Sequence, residues 1–377
     1  MKIGKILAVA AVATVFASCS NEEELANVGK SESNAIRFAG ISGLSDTRTT
    51  PIGTTNLTST NFDVMAFMSA DNALFMGGKH EAGHSDHGVK IVYNTGWNYA
   101  DKDQQAYWPT TGDVDFYAVS PAFTDELVYY SFAYDMTSDA KTITYATADE
   151  YKTGATNHDV MYAVAKGRNK ANNGTTPVQM KFKHILSQVV FKAKTTSSIL
   201  EVDVQSVKIH NFAVGGKFTL PEGEPAMSDW TLSPVAAGAY TVKLNAANVK
   251  TKNAVVELSD MNSPLIMIPQ KLTKWSTSTG AAVSKLDADN AKECYLEISM
   301  KLKQNDSYLI GSAAKYKTVY VPFDNGEDGW QPGKRYIYTL IFGGGYDDQG
   351  EPMLSPITFD AATTNWVDAN AGTDVNF

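Results

Sequence analysis

Three of the six histidines in this 377-residue chain lie within one stretch of eight residues, "HEAGHSDH". Its first five residues, His80 to His84, match the H-E-x-x-H pattern of zinc proteases. That pattern acts on a helix, where side chains four residues apart share a face and both imidazoles reach one Zn²⁺ ion. The stretch therefore raises the question of a metal-dependent hydrolase.

The residues around this motif oppose a zinc-binding helix. Gly77, Gly78, Gly83 and Gly88 surround and interrupt it, and each glycine costs about 1 kcal/mol in a helix interior. His87 follows too soon to act as the third ligand of a metzincin-type site. We therefore predict a loop between two strands, with no catalytic metal. Chance binding of Zn²⁺, Cu²⁺ or Ni²⁺ by the three imidazoles stays open and implies no activity.

Other patterns of catalytic residues are missing from the sequence. It contains no G-x-S-x-G nucleophile elbow and no glycine-rich loop of the phosphate-binding type. Cys294 alternates with apolar residues in "ECYLEIS", which is typical of a buried thiol on a strand. The sequence predicts that the protein is not an enzyme, and it predicts no cofactor.

Composition and charge narrow the class of protein. The net charge is −9 and the mature region has no block of Lys and Arg, which excludes nucleic acid as a partner. Two cysteines are too few for a disulfide scaffold or a cysteine-based zinc cluster. The length predicts more than one domain, because single cores rarely grow past roughly 250–300 residues.

The N-terminus has the features of a lipoprotein signal peptide. Lys2 and Lys5 precede an apolar run of 11 residues, which is too short to span a bilayer as a helix. The run leads into "FASCS", which resembles the bacterial lipobox. We expect signal peptide 1–18 to be cut between Ser18 and Cys19, after which Cys19 carries the lipid. A plain secretory signal with a chance cysteine is the alternative.

Residues 19–35 are polar and read as a tether between the lipid and the folded part. Three consecutive glutamates, Glu22 to Glu24, resemble the surface-export signal of Bacteroidales lipoproteins. A solvated spacer would have the same composition. Several acyl chains on one residue anchor firmly, so the sequence predicts an outer-membrane lipoprotein exported to the cell surface.

From Ile36 onward the hydrophobic pattern indicates an all-β protein. Apolar residues alternate with polar ones in short runs rich in β-branched and aromatic residues, such as "VDFYAVSP" and "KTVYVPF". Glycine and proline turns separate these runs, as in antiparallel sandwiches. A polar stretch divides the pattern, so we predict an N-terminal sandwich over 36–168, a linker over 169–176 and a C-terminal sandwich over 177–377.

Several pieces of sequence occur in an order that resembles a known family. They are "YWPTTGDVDFYAVSP", "HDVMYA", "FKHILSQVVFKAK", "WQPGKRYIYTLIF" and "ITFDAATTNW". Behind a lipobox, this order is similar to that of the fimbrillins of Bacteroidales, the subunits of type V pili. The resemblance covers essentially the whole mature chain. It implies two transthyretin-like antiparallel β-sandwich domains in tandem.

The resemblance also implies a mechanism of assembly. Fimbrillins carry an N-terminal strand that completes the first sandwich, and a trypsin-like, Arg-specific protease removes it. A strand from a neighbouring subunit then enters the vacated groove, by the strand addition that open sheet edges favour. Here the removable strand would be 35–40, and the cut would fall between Arg48 and Thr49. If Arg48 is an ordinary loop arginine, the protein stays anchored.

The resemblance implies that the donor strand comes from the C-terminal segment 365–377. Val367, Val375 and Phe377 would fill the groove, although the segment alternates less regularly than a good donor strand. A stalk, tip or anchor subunit therefore remains open, as does the surface that it adheres to. The alternative function is a lipid-anchored carbohydrate-binding or nutrient-capture protein, in which some of the six Trp and 18 Tyr would stack on sugars.

Overall fold

A computed structural model gives the fold of the chain. It describes residues 34–42, 54–77, 88–123, 132–136, 141–147, 157–195, 197–235, 239–242, 244, 247–249, 252, 254–260, 264–276, 284–342, 345–346, 349, 352–353 and 358–365. Several residues singled out in the sequence lie outside this part: Ser18, Cys19, Arg48, Thr49, His80, His84, His87, Val367, Val375 and Phe377.

Strands dominate the described residues. The first half contains β1 (Phe38–Ser42), β2 (Phe62–Met68), β3 (Leu74–Met76), β4 (Val89–Tyr93), β5 (Trp97–Tyr99), β6 (Val114–Ser120), β7 (Phe132–Met136), β8 (Lys141–Ala146), β9 (Met161–Arg168) and β10 (Val178–His184). The second half contains β11 (Ser187–Lys194), β12 (Leu200–His210), β13 (Gly215–Thr219), β14 (Trp230–Leu232), β15 (Ala239–Val242), β16 (Ala247–Val249), β17 (Val256–Glu257), β18 (Leu265–Met267), β19 (Tyr295–Gln304), β20 (Ser307–Ile310), β21 (Lys317–Pro322), β22 (Lys334–Ile341), β23 (Gly345–Tyr346), β24 (Pro352–Met353) and β25 (Thr358–Asn365).

The described helices are short. They are α1 (Thr54–Thr60), α2 (Lys170–Asn173), α3 (Lys285–Ala291) and the 3₁₀ turns Lys102–Gln104 and Met227–Asp229. Within the described ranges, no helix has the length and apolar character needed to cross a membrane. The predicted all-β sandwich fold is confirmed.

The first sheet has the strand order β1-β10-β9-β6-β2-β4-β5, with β3 paired to β2. The burial of β10 shows why these residues form a strand. Val178, Met180 and Phe182 are buried, whereas Gln179 is exposed, as the two-residue period of a strand requires. The sheet curves around these side chains, so that β1 packs against β2 and β6 across an apolar interior.

The other face of this sheet is also covered. A four-stranded sheet, β14-β13-β8-β7, packs on it, and Met65 and Phe67 of β2 join Tyr145 of β8 and Phe218 of β13 in one buried cluster. Because both of its faces are covered, β2 is apolar almost throughout and does not alternate. This second layer combines strands from both halves of the chain.

The C-terminal half contains a second sandwich. The sheet β17-β11-β22-β25 faces the sheet β15-β12-β19-β21-β23-β24, and Phe191, Ile298 and Tyr338 lie in the core between them. A turn at 332–333 leads into β22. The Trp330 indole just before it is fully buried and donates a hydrogen bond to the Tyr338 hydroxyl at 2.9 Å. Gly333 supplies the left-handed conformation, with φ 66°, that this reversal needs.

Two strand pairs differ from the expected antiparallel arrangement. β1 is parallel to β10, and β11 is parallel to β22 over seven consecutive pairs, from Gln188–Arg335 to Lys194–Ile341. In both cases the partners lie far apart in the chain. Parallel neighbours need such long connections, because a tight turn can only reverse the chain direction. Local sequence patterns do not reveal this kind of pairing.

The predicted linker 169–176 connects two strands of one sheet. It runs from β9 to β10 through α2, and β10 pairs with both β9 and β1. The strand that follows the linker therefore belongs to the first sheet. The chain then passes from β10 into β11 through Ile185 and Leu186 alone. The division into two tandem domains stays a prediction.

A charged group on the outer face of the second sandwich joins β12 to β19. Glu297 accepts hydrogen bonds from His210 at 3.0 Å and from Lys208 at 2.8 Å. The His210 ring stacks on Tyr295, with ring centroids 4.6 Å apart. The hydrogen bond from His210 is the largest cause that lowers the pKa of Glu297 from 4.5 to about 2, and Lys208 adds to it.

This lowered pKa predicts acid sensitivity. Because the folded-state pKa is below the unfolded one, the Glu297 contribution to stability is present above pH 4.5 and is lost as the pH falls towards about 2. We expect Glu297→Gln to lower the free energy of unfolding at neutral pH and to reduce its further loss over that window. Urea unfolding across the pH range measures both effects.

The control for this test is Glu257→Gln. Glu257 is half exposed, and its carboxylate lies 3.9 Å from the Lys192 ammonium, so removing its charge has little effect. If Glu297→Gln and the unaltered chain lost the same stability between pH 4.5 and 2, the assignment to this carboxylate would be wrong.

Candidate functional site: the groove that holds the first strand

Residues 34–42 lie in a groove at the edge of the first sheet. The first half of the segment pairs with the chain just before β6. Ile36 N donates to Ala106 O at 2.9 Å, and Trp108 N donates to Asn34 O at 3.0 Å. An antiparallel bridge between Ala35 and Tyr107 lies between these two bonds. The backbone of the segment is thereby fixed on one side.

The second half pairs on the opposite side. Val178 N donates to Arg37 O at 2.7 Å, and from Phe38 onward β1 runs parallel to β10, ending at the pair Ser42–Phe182. The segment therefore changes partner at Arg37. It fills the space between the 106–108 chain and the edge of β10, and so closes the curved sheet over its interior.

Two side chains anchor the segment in the groove. Ile36 is fully buried and Phe38 is 4% exposed. The Phe38 ring meets Phe116, Tyr99 and Phe62 in edge-to-face contacts, with centroids 5.5, 6.0 and 6.4 Å apart. Burial of side chains of this size stabilises by about 1.5–3 kcal/mol each, so these two contribute most of the apolar attachment.

A tyrosine adds a polar contact to the anchor. The Tyr99 hydroxyl donates to Ile36 O at 3.0 Å. Burial raises the pKa of Tyr99 above its ordinary value of 10.0, so the hydroxyl keeps its proton and remains a donor. Arg37 points the other way, is exposed, and donates to Thr175 O at 2.7 Å. Ile36 and Phe38 thus face the interior and Arg37 faces away from it, as the two-residue period of an extended chain requires.

Gly40 is the third inward position of the segment, after Ile36 and Phe38. A Cβ atom at Gly40 would lie 2.9 Å from Trp97 Cζ2 and 3.1 Å from Leu57 Cδ2, which is too close for a side chain. The backbone therefore passes directly against the indole of Trp97. A glycine inside a strand often marks such a close approach, so "FAG" did carry a signal that sequence reasoning missed.

A cavity of about 340 Å³ adjoins the segment. Its walls come from the segment itself and from β5, on the side of β1 opposite to β10. The lining is mixed: it has apolar and aromatic side chains (Ile36, Phe38, Ile91, Trp97 and Tyr99) and polar or charged ones (Arg37, Asn98, Lys102 and Gln105). The groove is thus wider than the segment that occupies it.

Two buried residues of types that could do chemistry have structural roles. His184 is buried and its Nδ1 lies 2.9 Å from an Asp159 carboxylate oxygen, which agrees with a satisfied core histidine. Cys294 is buried in the second sandwich, and burial raises the pKa of its thiol, as expected of an inert cysteine. Among the described residues, no group of His, Cys, Asp and Glu is placed to hold a metal ion.

Residues 47–366 match the model of a single protein family, whose description is fimbrillin-like. The chain belongs to the fimbrillin-like family. The match covers most of the sequence and confirms the resemblance identified from the ordered motifs. No protein with a curated function is significantly similar to the chain in sequence.

Solved structures agree in fold with this fimbrillin-like chain. A fimbrial protein from Bacteroides vulgatus is 14% identical, with a TM-score of 0.58, and the match covers 89% of this chain and all of that one. A cell-adhesion candidate from Bacteroides uniformis is 12% identical over 89% of this chain and all of its own, with a TM-score of 0.47. At these identities the first likeness shows the fold alone, and the second adds no argument.

Family membership supports a coarse statement of function. The protein is a pilus subunit or has a role in adhesion, at the cell surface and in contact with other fimbrial subunits. A fimbrillin-like family favours a structural role over a catalytic one.

The anchoring role of Phe38 is testable in the intact chain. Removing a buried aromatic ring costs about 3–5 kcal/mol. We expect Phe38→Ala to speed amide hydrogen exchange over 178–184 by about a hundredfold or more, because β10 loses its edge partner more often. Exchange over β19, in the other sandwich, should not change.

Arg37→Gln is the matched control, since it alters the neighbouring residue but leaves the buried face intact. It should change exchange in β10 by less than about tenfold, the effect of one exposed hydrogen bond. Equal effects of the two substitutions would contradict the assignment of Phe38 as the main anchor.

Proposed function

We propose that this protein is a surface-exported lipoprotein that assembles into a fimbrium by exchange of its first strand. β1 is removed by proteolysis, and a strand from a neighbouring subunit takes its place. The observation that carries the proposal is the position of β1. It lies at a sheet edge, yet its side chains complete the buried core of the first sandwich.

Removal of β1 would leave a site suited to one more strand. The edge of β10 would present unpaired N–H and C=O groups over 178–182, and the apolar interior that Ile36 and Phe38 cover would face water. An open edge above an apolar groove favours addition of an extended peptide, with backbone hydrogen bonds giving affinity and side-chain pockets giving specificity. While β1 is in place, this edge is protected from premature association.

Release requires a cut between β1 and α1. Arg48 lies in this interval, and an Arg-specific, trypsin-like protease would cut the bond to Thr49. The piece 19–48 would then leave with the lipid on Cys19. The family match begins at residue 47, after β1, which supports a unit shared by the family that starts near this bond.

The donor strand in this proposal is the segment 365–377 of a neighbouring subunit. It follows β25, which lies at the edge of the second sandwich, antiparallel to β22. The donor would thus leave one end of a subunit and enter the groove of the next. Its pairing would repeat along the fibre, as head-to-tail contacts do.

The tryptophans support a scaffold role over sugar stacking. Trp108, Trp230, Trp275 and Trp330 are buried in the cores, and Trp97, the remaining one among the described residues, packs against β1. Sugar-binding sites need such rings on the surface. The described tryptophans therefore offer little to the alternative of carbohydrate capture.

Limited trypsin treatment tests the exchange. We expect loss of the N-terminal piece ending at Arg48, followed by a ladder of oligomers, because the emptied groove accepts a strand from another copy. Arg48→Gln should keep that piece and stay monomeric. Electrophoresis without boiling and intact-mass measurement give both results.

Arg37→Gln is the control for that test, because it removes the other arginine near the segment. It should be cut at Arg48 and assemble as the unaltered chain does. If the chain cut at Arg48 stays monomeric at high concentration, strand exchange is not its mode of assembly.

Lipidation at Cys19 has a separate test. We expect Cys19→Ser to abolish incorporation of labelled palmitate and to move the protein from the membrane fraction to the soluble fraction, because a thiol is needed for the thioether to diacylglycerol. Cys294→Ala, at the other cysteine of the chain, should keep both label and location. Label remaining in Cys19→Ser would place the lipid elsewhere.

A further inference from the structure

The first strand occupies two of the three inward positions of its groove with side chains. Ile36 and Phe38 fill the first two, and Gly40 stands at the third. The space that a side chain at position 40 would take is filled from the groove wall, by Trp97 and Leu57. The groove therefore has a third position, but the side chains of Trp97 and Leu57 occupy it.

The two residues that shut this position differ in their freedom to move. Leu57 is 1% exposed on α1 and belongs to the core of the first sandwich. Trp97 is partly exposed and begins β5, a three-residue strand at the end of the sheet. Its ring packs on Phe62 and on the exposed ring of Tyr93, with centroids 4.9 and 5.3 Å apart.

The cavity beside the segment offers space for the Trp97 ring. The indole forms part of its wall, together with Ile91 and Tyr99, whereas Gly40 does not line it, so the cavity offers the ring space away from Gly40. A flexible wall residue next to a cavity is the arrangement expected of a side-chain gate.

We propose that Trp97 gates the third position of the strand-binding groove. It closes the position while Gly40 is there, and it turns into the adjoining cavity when an incoming strand brings an apolar side chain. The partner is a strand of another fimbrial subunit, with apolar residues at three alternate positions where the segment 34–42 has two. This inference rests on the proposed function and deepens it by naming the sequence feature that the groove selects.

The gate explains how the resident strand can be both stable and replaceable. A third buried aliphatic side chain strengthens attachment on the order of 10- to 100-fold. At equilibrium, a strand that buries three apolar side chains therefore displaces a strand that buries two. The need to turn Trp97 slows the entry of such a strand. Peptides with one or two apolar residues bury no more than the resident segment does, so they do not displace it.

A double-mutant cycle in the intact, uncut chain tests the gate without assuming exchange. Gly40→Val should slow hydrogen exchange over 178–184 in the unaltered chain, because Trp97 turns away and the valine is buried, although turning the indole offsets part of the gain. In a Trp97→Ala chain the same substitution should slow exchange by a larger factor, because the position is already open. The larger slowing in the Trp97→Ala background is the expected result.

Ala39→Val is the matched control, because it adds the same methyl groups one residue earlier, on the other side of β1. Its effect should not depend on Trp97. If Gly40→Val speeds hydrogen exchange over 178–184 equally in both backgrounds, then Leu57 or the backbone closes the position, and Trp97 is not the gate.

A second measurement uses the chain cut by trypsin at Arg48, with the resident piece still bound and labelled. Competing synthetic peptides carry residues 34–42 with either Gly or Val at position 40. Against the unaltered chain, the Val peptide should enter more slowly and then dissociate about tenfold or more slowly. With Trp97→Ala, the slow entry should disappear.

The outcomes separate this inference from the proposed function. Equal entry and release of the two peptides overturns the gate while leaving strand exchange intact. If neither peptide displaces the resident piece, strand exchange fails, and the mutant cycle in the uncut chain still decides whether Trp97 closes the third position.

Discussion

The structure of the first sandwich depends on the closure of one edge, that of β10. The inward side chains of this strand lie in the core, and the core stays dry only while a further strand covers their flank. An edge left open would expose both apolar surface and unpaired backbone groups, each of which costs free energy in water. β1 meets this requirement with few residues. The rest of the sandwich can be regular because this one edge is occupied.

Because few residues close this edge, the edge is also suited to assembly. A closing strand with two buried anchors is held firmly enough for folding, yet weakly enough to be replaced by a strand with more to bury. The family match identifies the class of protein. The position of β1 is the ground for the proposed place where one subunit meets the next.

Sequence reasoning predicted the elements better than their partners. The alternation of apolar and polar residues predicted the all-β fold, and the predicted strand 35–40 overlaps β1. The loop predicted around His80 and His84 lies outside the described residues. The parallel pairs, and the role of 169–176 as a connection within one sheet, were not predictable. Such pairings depend on contacts between residues far apart in the chain, which local periodicity does not encode.

The closeness of β10 to β11 has a consequence for a fibre under load. Only Ile185 and Leu186 separate the strand that would hold a neighbour from a strand at the centre of the second sandwich. Tension from a strand docked on β10 would therefore pass along continuous covalent backbone into β11, and from there through seven aligned pairs into β22. The two sandwiches would share the force without a flexible hinge between them. In a fibre built from such subunits by strand exchange, tension would pass from one subunit to the next through backbone strands.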